Sequence, residues 1–238
     1  MMTRTAAGRG YQSLALACLS LAAGCTDVLS FLRLGNVFTS AMTGNTALLA
    51  IAIGRAQWSG ASRAFAALLG FIVGVALSTI VSSRADAAEE TAPVASRSLL
   101  LELVCIVGCA IWWSEAGDLT QRTLLYAVIV LSALGMGIQA ATARLLNSSG
   151  ISTVVFTTPL VHIVTSATGA LMRLPRRPQP SAATGDRLYS FAAYGGGALL
   201  AALLLSRYFQ LAVWLAPAAV LVALGCTGLS GAREAKRT

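Results

Sequence analysis

Asp27 is the residue that most clearly points to chemistry, because it lies inside a long apolar run. An acidic side chain at the centre of a bilayer costs about 2.5–3.5 kcal/mol, so it must face a partner or a cavity. Arg144, late in a second apolar run, is the natural partner. Asp27 is therefore either a carboxylate that contacts substrate or couples transport, or half of a structural Asp27–Arg144 pair that fixes how two parts of the protein dock.

A polar stretch from Thr26 to Thr46 is the second candidate feature. Gly35 and Gly44 permit turns there, and a helix beginning at Thr46 would point amide N–H groups at an anionic group or a carbonyl. A similar set occurs later in the chain, although small polar residues also join membrane helices simply by hydrogen bonding. The predicted substrate-binding residues are Asp27, Thr39, Thr43, Asn45, Gln139, Arg144 and Thr157.

The other reactive residue types do not form a catalytic or metal-binding pattern. The sequence has no nucleophile–base pair, phosphate-binding glycine loop, HExxH or CxxC motif, so we expect no enzyme activity, no cofactor and no metal site. The five cysteines lie in apolar runs and are expected to be free thiols. His162, the single histidine, either relays protons or donates to a backbone carbonyl near Pro159. Glu102 lies early in its segment and is expected to reach the membrane interface.

The composition shows which elements must position these residues. Of 238 residues, 56% are hydrophobic and 11% charged, against about 25% charged in soluble domains, and the mean hydropathy is +0.74. One span takes about 20 apolar residues, so the chain predicts an all-α, polytopic transmembrane helix bundle of six to eight segments. A soluble enzyme, a nucleic-acid binder and a disordered protein are excluded. The net charge is +8, and the basic residues lie mainly between the apolar runs and at the two ends, where cytoplasmic loops collect Lys and Arg.

Eight apolar segments can be marked, within a single integral membrane domain (1–238) that has polar tails at 1–10 and 230–238. The first half (11–114) resembles the second (122–229), which suggests the internal duplication common in transporters. Thr39 and Thr43 have counterparts about 114 positions on, at Thr153 and Thr157, and Gly24 aligns with Gly137 after a one-residue shift. The segments are Tyr11–Leu32, Phe38–Gly54, Gly60–Ser82, Leu99–Trp113, Leu124–Leu146, Ile151–Met172, Leu188–Leu205 and Phe209–Leu229.

Two topologies satisfy the distribution of basic residues equally well, and both place the termini in the cytoplasm. In one, all eight segments cross, giving parallel repeats. In the other, segments two and six enter and return on one side, giving six crossings and inverted repeats. Met42–Asn45 interrupts segment two and leaves only Thr46–Gly54 as a clean helix, too short to cross. This favours six crossings.

The motifs also carry a family resemblance. The run from Thr26 to Asn45 (TDVLSFLRLGNVFTSAMTGN) resembles the signature of the YoaK-like family, bacterial transmembrane proteins grouped under a domain of unknown function. The run from Gly137 to Arg144 (GIQAATAR), with Thr153 and Thr157 after it, is similar to that family's second motif. The match extends from about Tyr11 to Leu229. It departs where family members have Thr-Gly, since this chain has Thr157-Thr158 followed by proline. The resemblance implies an integral inner-membrane protein and no established activity.

These observations predict an uncharacterised multi-pass protein of the bacterial inner membrane. The leading hypothesis is a small-solute permease or exporter with a midplane site near the broken helix. The alternative is a non-transporting scaffold or assembly protein with a structural Asp27–Arg144 pair. The expected partners are the lipid bilayer and a small-molecule or ion solute, with no nucleic acid, and a homo-oligomer is compatible with the pattern.

Overall fold

The computed structural model describes residues 6–83, 91–116, 122–146, Val164 and 181–235. Apolar segments of this length become helices because lipid offers no partners for backbone N–H and C=O groups, which a helix pairs internally. The helices are α1 (Ala6–Arg33), α2 (Met42–Gly54), α3 (Trp58–Ser83), α4 (Thr91–Ala116), α5 (Arg122–Leu146), α6 (Ser181–Leu205) and α7 (Phe209–Ala235).

The predicted all-α membrane bundle is confirmed. Among the described residues, six helices are long and apolar enough to cross a membrane, namely α1 and α3 to α7. The exception, α2, has 13 residues and so spans about 20 Å at 1.5 Å per residue, short of the roughly 30 Å bilayer core. Apart from Val164, segment six of the sequence lies outside the described residues.

Helix α4 begins earlier than the sequence predicted, at Thr91 rather than Leu99. Pro93 falls in its first turn, where a missing N–H costs no helical hydrogen bond. Glu102 therefore lies near the middle of α4, fully buried. The predicted interfacial position of Glu102 is wrong, because the helix adds about two turns before it.

The break before α2 is also displaced from its predicted position. Met42–Asn45 is not the interruption but the first turn of α2. The non-helical part is residues 34–41, named here the α1–α2 loop, in which Gly35 has φ +80° and Asn36 has φ +60°. The left-handed conformation, which glycine and asparagine tolerate best, lets the chain reverse directly after α1.

The α1–α2 loop and α2 form a re-entrant element. The carbonyl of Gly35 accepts a hydrogen bond from Arg63 near the start of α3. Thr43 shares a cavity with Phe71 and Val75, at the middle of α3. Helix α2 packs against α3 and returns, so that Ala52 lies beside Gly60. The chain thus runs into the bundle and back out on one side.

The long helices pack around one core, whose largest buried side chains include Leu19, Leu99, Ile129, Met136 and Val220. Small residues allow close approach, as where Gly74 of α3 meets Gly137 of α5. The helix pairs in contact are α1–α5, α1–α6, α1–α7, α2–α3, α3–α4, α3–α5, α4–α5, α4–α7 and α6–α7.

Two helix pairs show the direction in which the chain crosses. Helices α4 and α7 are antiparallel, since Ser114 bonds to Gln210 near the end of one and the start of the other, whereas Ala92 lies beside Gly231. Helices α1 and α5 are also antiparallel: Leu19 contacts Gln139, and the later Thr26 contacts the earlier Met136. In an eight-crossing arrangement both pairs would be parallel. The directions of these helices match the six-crossing topology.

Candidate functional site

Asp27 is the anchor of the α1–α2 loop. Its side chain is 1% exposed. One carboxylate oxygen, Oδ1, accepts hydrogen bonds from the backbone N–H groups of Thr39 at 2.8 Å and Ser40 at 2.7 Å. The other, Oδ2, accepts from the Ser40 hydroxyl at 2.6 Å and from the Tyr194 hydroxyl of α6 at 2.8 Å. The carboxylate therefore joins three parts of the protein: α1, the loop and α6.

The predicted Asp27–Arg144 pair is wrong. Both oxygens of Asp27 are occupied by the loop and Tyr194, whereas Arg144 is exposed and lines a cavity. No ion pair between the two occurs in the part of the chain that the structure describes. The physical reason is the helix break: backbone N–H groups freed at membrane depth need acceptors, and the buried carboxylate supplies them.

Asn45 holds the same loop from the other side. Its side-chain amide donates to the carbonyl of Phe38 at 2.6 Å, and its Oδ1 accepts from the N–H of Phe38 at 2.9 Å. The Phe38 ring stacks on Phe31 of α1 with 4.9 Å between centroids. Asp27, Thr39 and Asn45 were predicted to contact substrate, and the structure places their polar groups in hydrogen bonds within the protein.

A cavity of about 470 Å³ lies between the start of α2, α3 and α5. Its volume falls in the range of small-molecule pockets. The described residues of its lining are mostly apolar, with hydroxyls and one arginine: Met42, Thr43, Phe71, Val75, Thr79, Ser82, Ala140, Ala141, Arg144 and Leu145. The structure therefore brings together Thr43 and Arg144, two of the predicted site residues that are more than 100 positions apart in the sequence.

Gln139 and Thr157 do not join this cavity. Gln139 is fully buried and donates from Nε2 to the carbonyl of Leu19 at 2.9 Å, which ties α5 to α1, whereas its Oε1 has no partner among the described residues. Thr157 lies outside the described residues, as do Thr153, Thr158, Pro159 and His162.

Sequence reasoning missed several residues of the site. Tyr194 lies in α6, and nothing in its local sequence signals contact with Asp27. One face of α3 carries four lining residues at helical spacing: Phe71, Val75, Thr79 and Ser82. That spacing could have indicated which face of α3 lines the cavity.

Both carboxylate oxygens of Glu102 are buried and have no partner in the part of the chain that the structure describes.

The cysteines are free thiols, as predicted. The positions of His, Cys, Asp and Glu in the described ranges bring no three of them together as ligands for a metal ion.

The fold and this site define a multi-pass α-helical integral membrane protein with a re-entrant element. The chain belongs to a family described as "Protein of unknown function (DUF1275)", whose model matches residues 15–226. It is similar to the "UPF0700 transmembrane protein YoaK" of Bacillus subtilis (strain 168), with 30% identity over 206 residues, 86% of this chain and 88% of that protein. The family resemblance of the sequence is thereby confirmed. No solved structure matches the chain.

Proposed function

We propose that the protein is a permease or exporter of small solutes, and not an enzyme, and that the cavity beside α2 is its solute site. The observation that carries this proposal is the cavity of about 470 Å³ at the re-entrant element, lined by Thr43 and Arg144. Transporters commonly bind their solutes where a membrane helix is discontinuous, because the break exposes backbone and side-chain groups at depth.

The shape of the cavity supports a transport pathway. Phe71 lies near the middle of α3, and Thr79 and Ser82 lie towards its end; all three line the cavity. On α5, Arg144 lies in the last turn. The cavity thus extends from the centre of the bundle towards the side where α3 and α5 end. By the excess of basic residues on the inside, that side is the cytoplasm.

A transporter must expose such a cavity to each side of the membrane in turn. We expect Thr79→Cys to react with a membrane-impermeant maleimide in both right-side-out and inside-out vesicles. The matched control is Ile72→Cys, on the same helix, whose side chain is 63% exposed and does not line the cavity. Wild type, with thiols that are buried or half-buried, gives the background reaction.

Reaction of Thr79→Cys from one side only, or from neither, contradicts the permease. A cavity open to one side favours the alternative, a non-transporting scaffold or assembly protein. That alternative draws support from the Asp27 network, which ties α1, the loop and α6 together with no need of a solute.

A further inference from the structure

Four glycines make equivalent close contacts at two helix–helix interfaces, α1–α6 and α3–α5. A Cβ atom on Gly24 would collide with the carbonyl of Tyr194, and one on Gly137 with the carbonyl of Phe71. The reverse contacts match as well, Gly197 against the carbonyl of Leu21 and Gly74 against the carbonyl of Leu134. One shift of 113 positions carries 21 and 24 to 134 and 137, and one shift of 123 carries 71 and 74 to 194 and 197.

The helix contacts follow the same exchange, in which α1 is swapped with α5, α3 with α6 and α4 with α7. The α1–α6 pair corresponds to the α5–α3 pair, and every pair of packed helices given above, apart from α2–α3, has its counterpart under this exchange. The counterpart of α2 would lie outside the described residues. Since α1 and α5 run in opposite directions, we infer that the two halves are inverted repeats.

Under these shifts, the position of the cavity corresponds to the place where the α1–α2 loop packs against α1 and α6. Under these shifts Asp27 corresponds to Ala140, Tyr194 to Phe71 and Phe31 to Arg144. The first member of each correspondence supports the loop: Asp27 accepts hydrogen bonds from Thr39 and Ser40, Tyr194 donates to Asp27, and Phe31 stacks on Phe38. The second member of each lines the cavity.

The charged groups at the loop-binding position and in the cavity have opposite signs. In the first half the protein supplies a carboxylate, which accepts hydrogen bonds. In the cavity, alanine and phenylalanine replace the acid and the phenol, and the charged residue is a cation, Arg144. Arg144 has no hydrogen-bond or ion-pair partner in the part of the chain that the structure describes. Among the described lining residues there is therefore no acid, and Arg144 offers a donor that would pair with one.

The hydroxyl groups of the described cavity lining differ in whether they already donate a hydrogen bond. Thr79 donates to the carbonyl of Val75 and Ser82 to the carbonyl of Ser78, so both of these protons are already used. Thr43 makes no such bond in the described structure, which leaves its hydroxyl free to donate beside Arg144. The apolar remainder of the lining, including Phe71 and Val75, suits a hydrocarbon or aromatic body.

We propose that the cavity binds a small amphipathic organic anion, with its acid group on Arg144 and Thr43 and its apolar body against Phe71 and Val75. This names the solute class of the permease proposed above and so rests on that function for its role. Binding itself is measured without flux, so the two proposals can fail separately.

The test is binding of benzoate and of phenyl phosphate to purified full-length protein in detergent, by calorimetry, with neutral benzamide and cationic benzylamine as comparison probes. We expect saturable binding of the two anions only. Arg144→Gln should weaken it roughly 10- to 100-fold, the cost of losing a charge-assisted hydrogen bond, and Arg144→Lys should restore part of it. Arg122→Gln, at the exposed far end of the same helix, removes the same charge and should change nothing.

A second variant keeps the proposal testable if Arg144→Gln unfolds. Ala140→Asp restores the acid that the other half carries and places it one helical turn from Arg144, where the two side chains can pair. We expect the folded variant to lose anion binding. Equal binding of benzamide and benzoate, or equal loss in Arg122→Gln, overturns the proposal.

A lipid headgroup offers the same anionic chemistry, and a separate comparison distinguishes the two sources. In nanodiscs of phosphatidylglycerol or of phosphatidylcholine, benzoate should bind with the same affinity if the site holds a free solute. Benzoate binding that occurs in phosphatidylcholine and is lost in phosphatidylglycerol identifies the occupant as an anionic lipid and overturns the solute proposal.

Discussion

The hydroxyl of Tyr194 donates a hydrogen bond to the carboxylate of Asp27 at 2.8 Å, although the two residues lie 167 positions apart. The same carboxylate accepts the backbone N–H groups of Thr39 and Ser40. One acid therefore satisfies the donors of a broken helix and fastens that break to another helix. This relationship makes Asp27 part of the framework that holds the α1–α2 loop, with both carboxylate oxygens in hydrogen bonds within the protein.

Asp27→Asn should destabilise the protein. An amide in place of the carboxylate loses charge-assisted bonds and turns an NH₂ group towards backbone donors, which we expect to cost about 1–3 kcal/mol. Thermal unfolding in detergent measures this cost. Thr46→Ala is the control for a change of side chain without loss of the network, because Thr46 is exposed and its hydroxyl bonds to the carbonyl of Met42 within the same helix. Unchanged stability of Asp27→Asn would mean that the network does not hold the loop.

Tyr194→Phe removes one of the hydrogen bonds to Asp27 and keeps the ring, so we expect a smaller loss, about 1 kcal/mol. A double-mutant cycle with Asp27→Asn isolates the direct interaction, because residues in contact give non-additive changes in unfolding free energy. Additive losses in the double variant would show that the two side chains act independently.

Gly197→Ala and Gly196→Ala form a matched pair on α6. A Cβ atom at Gly197 collides with the backbone of Leu21, whereas one at Gly196 has nothing within 4 Å. We expect Gly197→Ala to destabilise the protein by about 1–3 kcal/mol through overpacking, and Gly196→Ala to leave it unchanged or to stabilise it by up to about 1 kcal/mol through helix propensity. Equal effects on the unfolding temperature would contradict the packing of α1 against α6.

Glu102→Leu should raise stability. Both carboxylate oxygens of Glu102 are buried without a partner in the described structure, and an apolar side chain of similar size avoids the cost of burying them, about 1–3 kcal/mol. Unfolding measurements on Glu102→Leu and on the near-isosteric Glu102→Gln test this. A loss of stability in Glu102→Leu that Glu102→Gln does not share would show that the carboxyl has a partner.

Single cysteines on a background without native thiols test the six-crossing topology. With both termini in the cytoplasm, Ala87→Cys, between α3 and α4, should react with an impermeant maleimide from the cytoplasm only. Gln57→Cys, exposed at the turn between α2 and α3, should react from the outside only. In the eight-crossing topology the two sides are exchanged. Labelling of Ala87→Cys from the outside only, or of both positions from the same side, would therefore reject six crossings.

Much of the architecture followed from the sequence alone. Apolar runs predicted the long helices because lipid requires about 20 apolar residues and internally paired backbone for each crossing. The same reasoning identified Asp27 as exceptional, a break near the start of α2, and the family to which the chain belongs, although it placed that break at Met42–Asn45 rather than at residues 34–41. These are local properties, since a charge or a break inside an apolar run is visible without knowledge of what packs against it.

Only the tertiary structure decided which groups meet. Asp27 bonds to the loop and Tyr194 rather than to Arg144, because the loop folds back along α1 and delivers backbone donors to the carboxylate. Arg144 lies instead with Thr43 on the cavity wall. The antiparallel directions of α1 and α5, and of α4 and α7, match six crossings rather than eight. The physical reason is that hydropathy states how deep a residue lies in the membrane. The partner of a buried polar group depends on which helix faces pack together, and that is a property of the whole bundle.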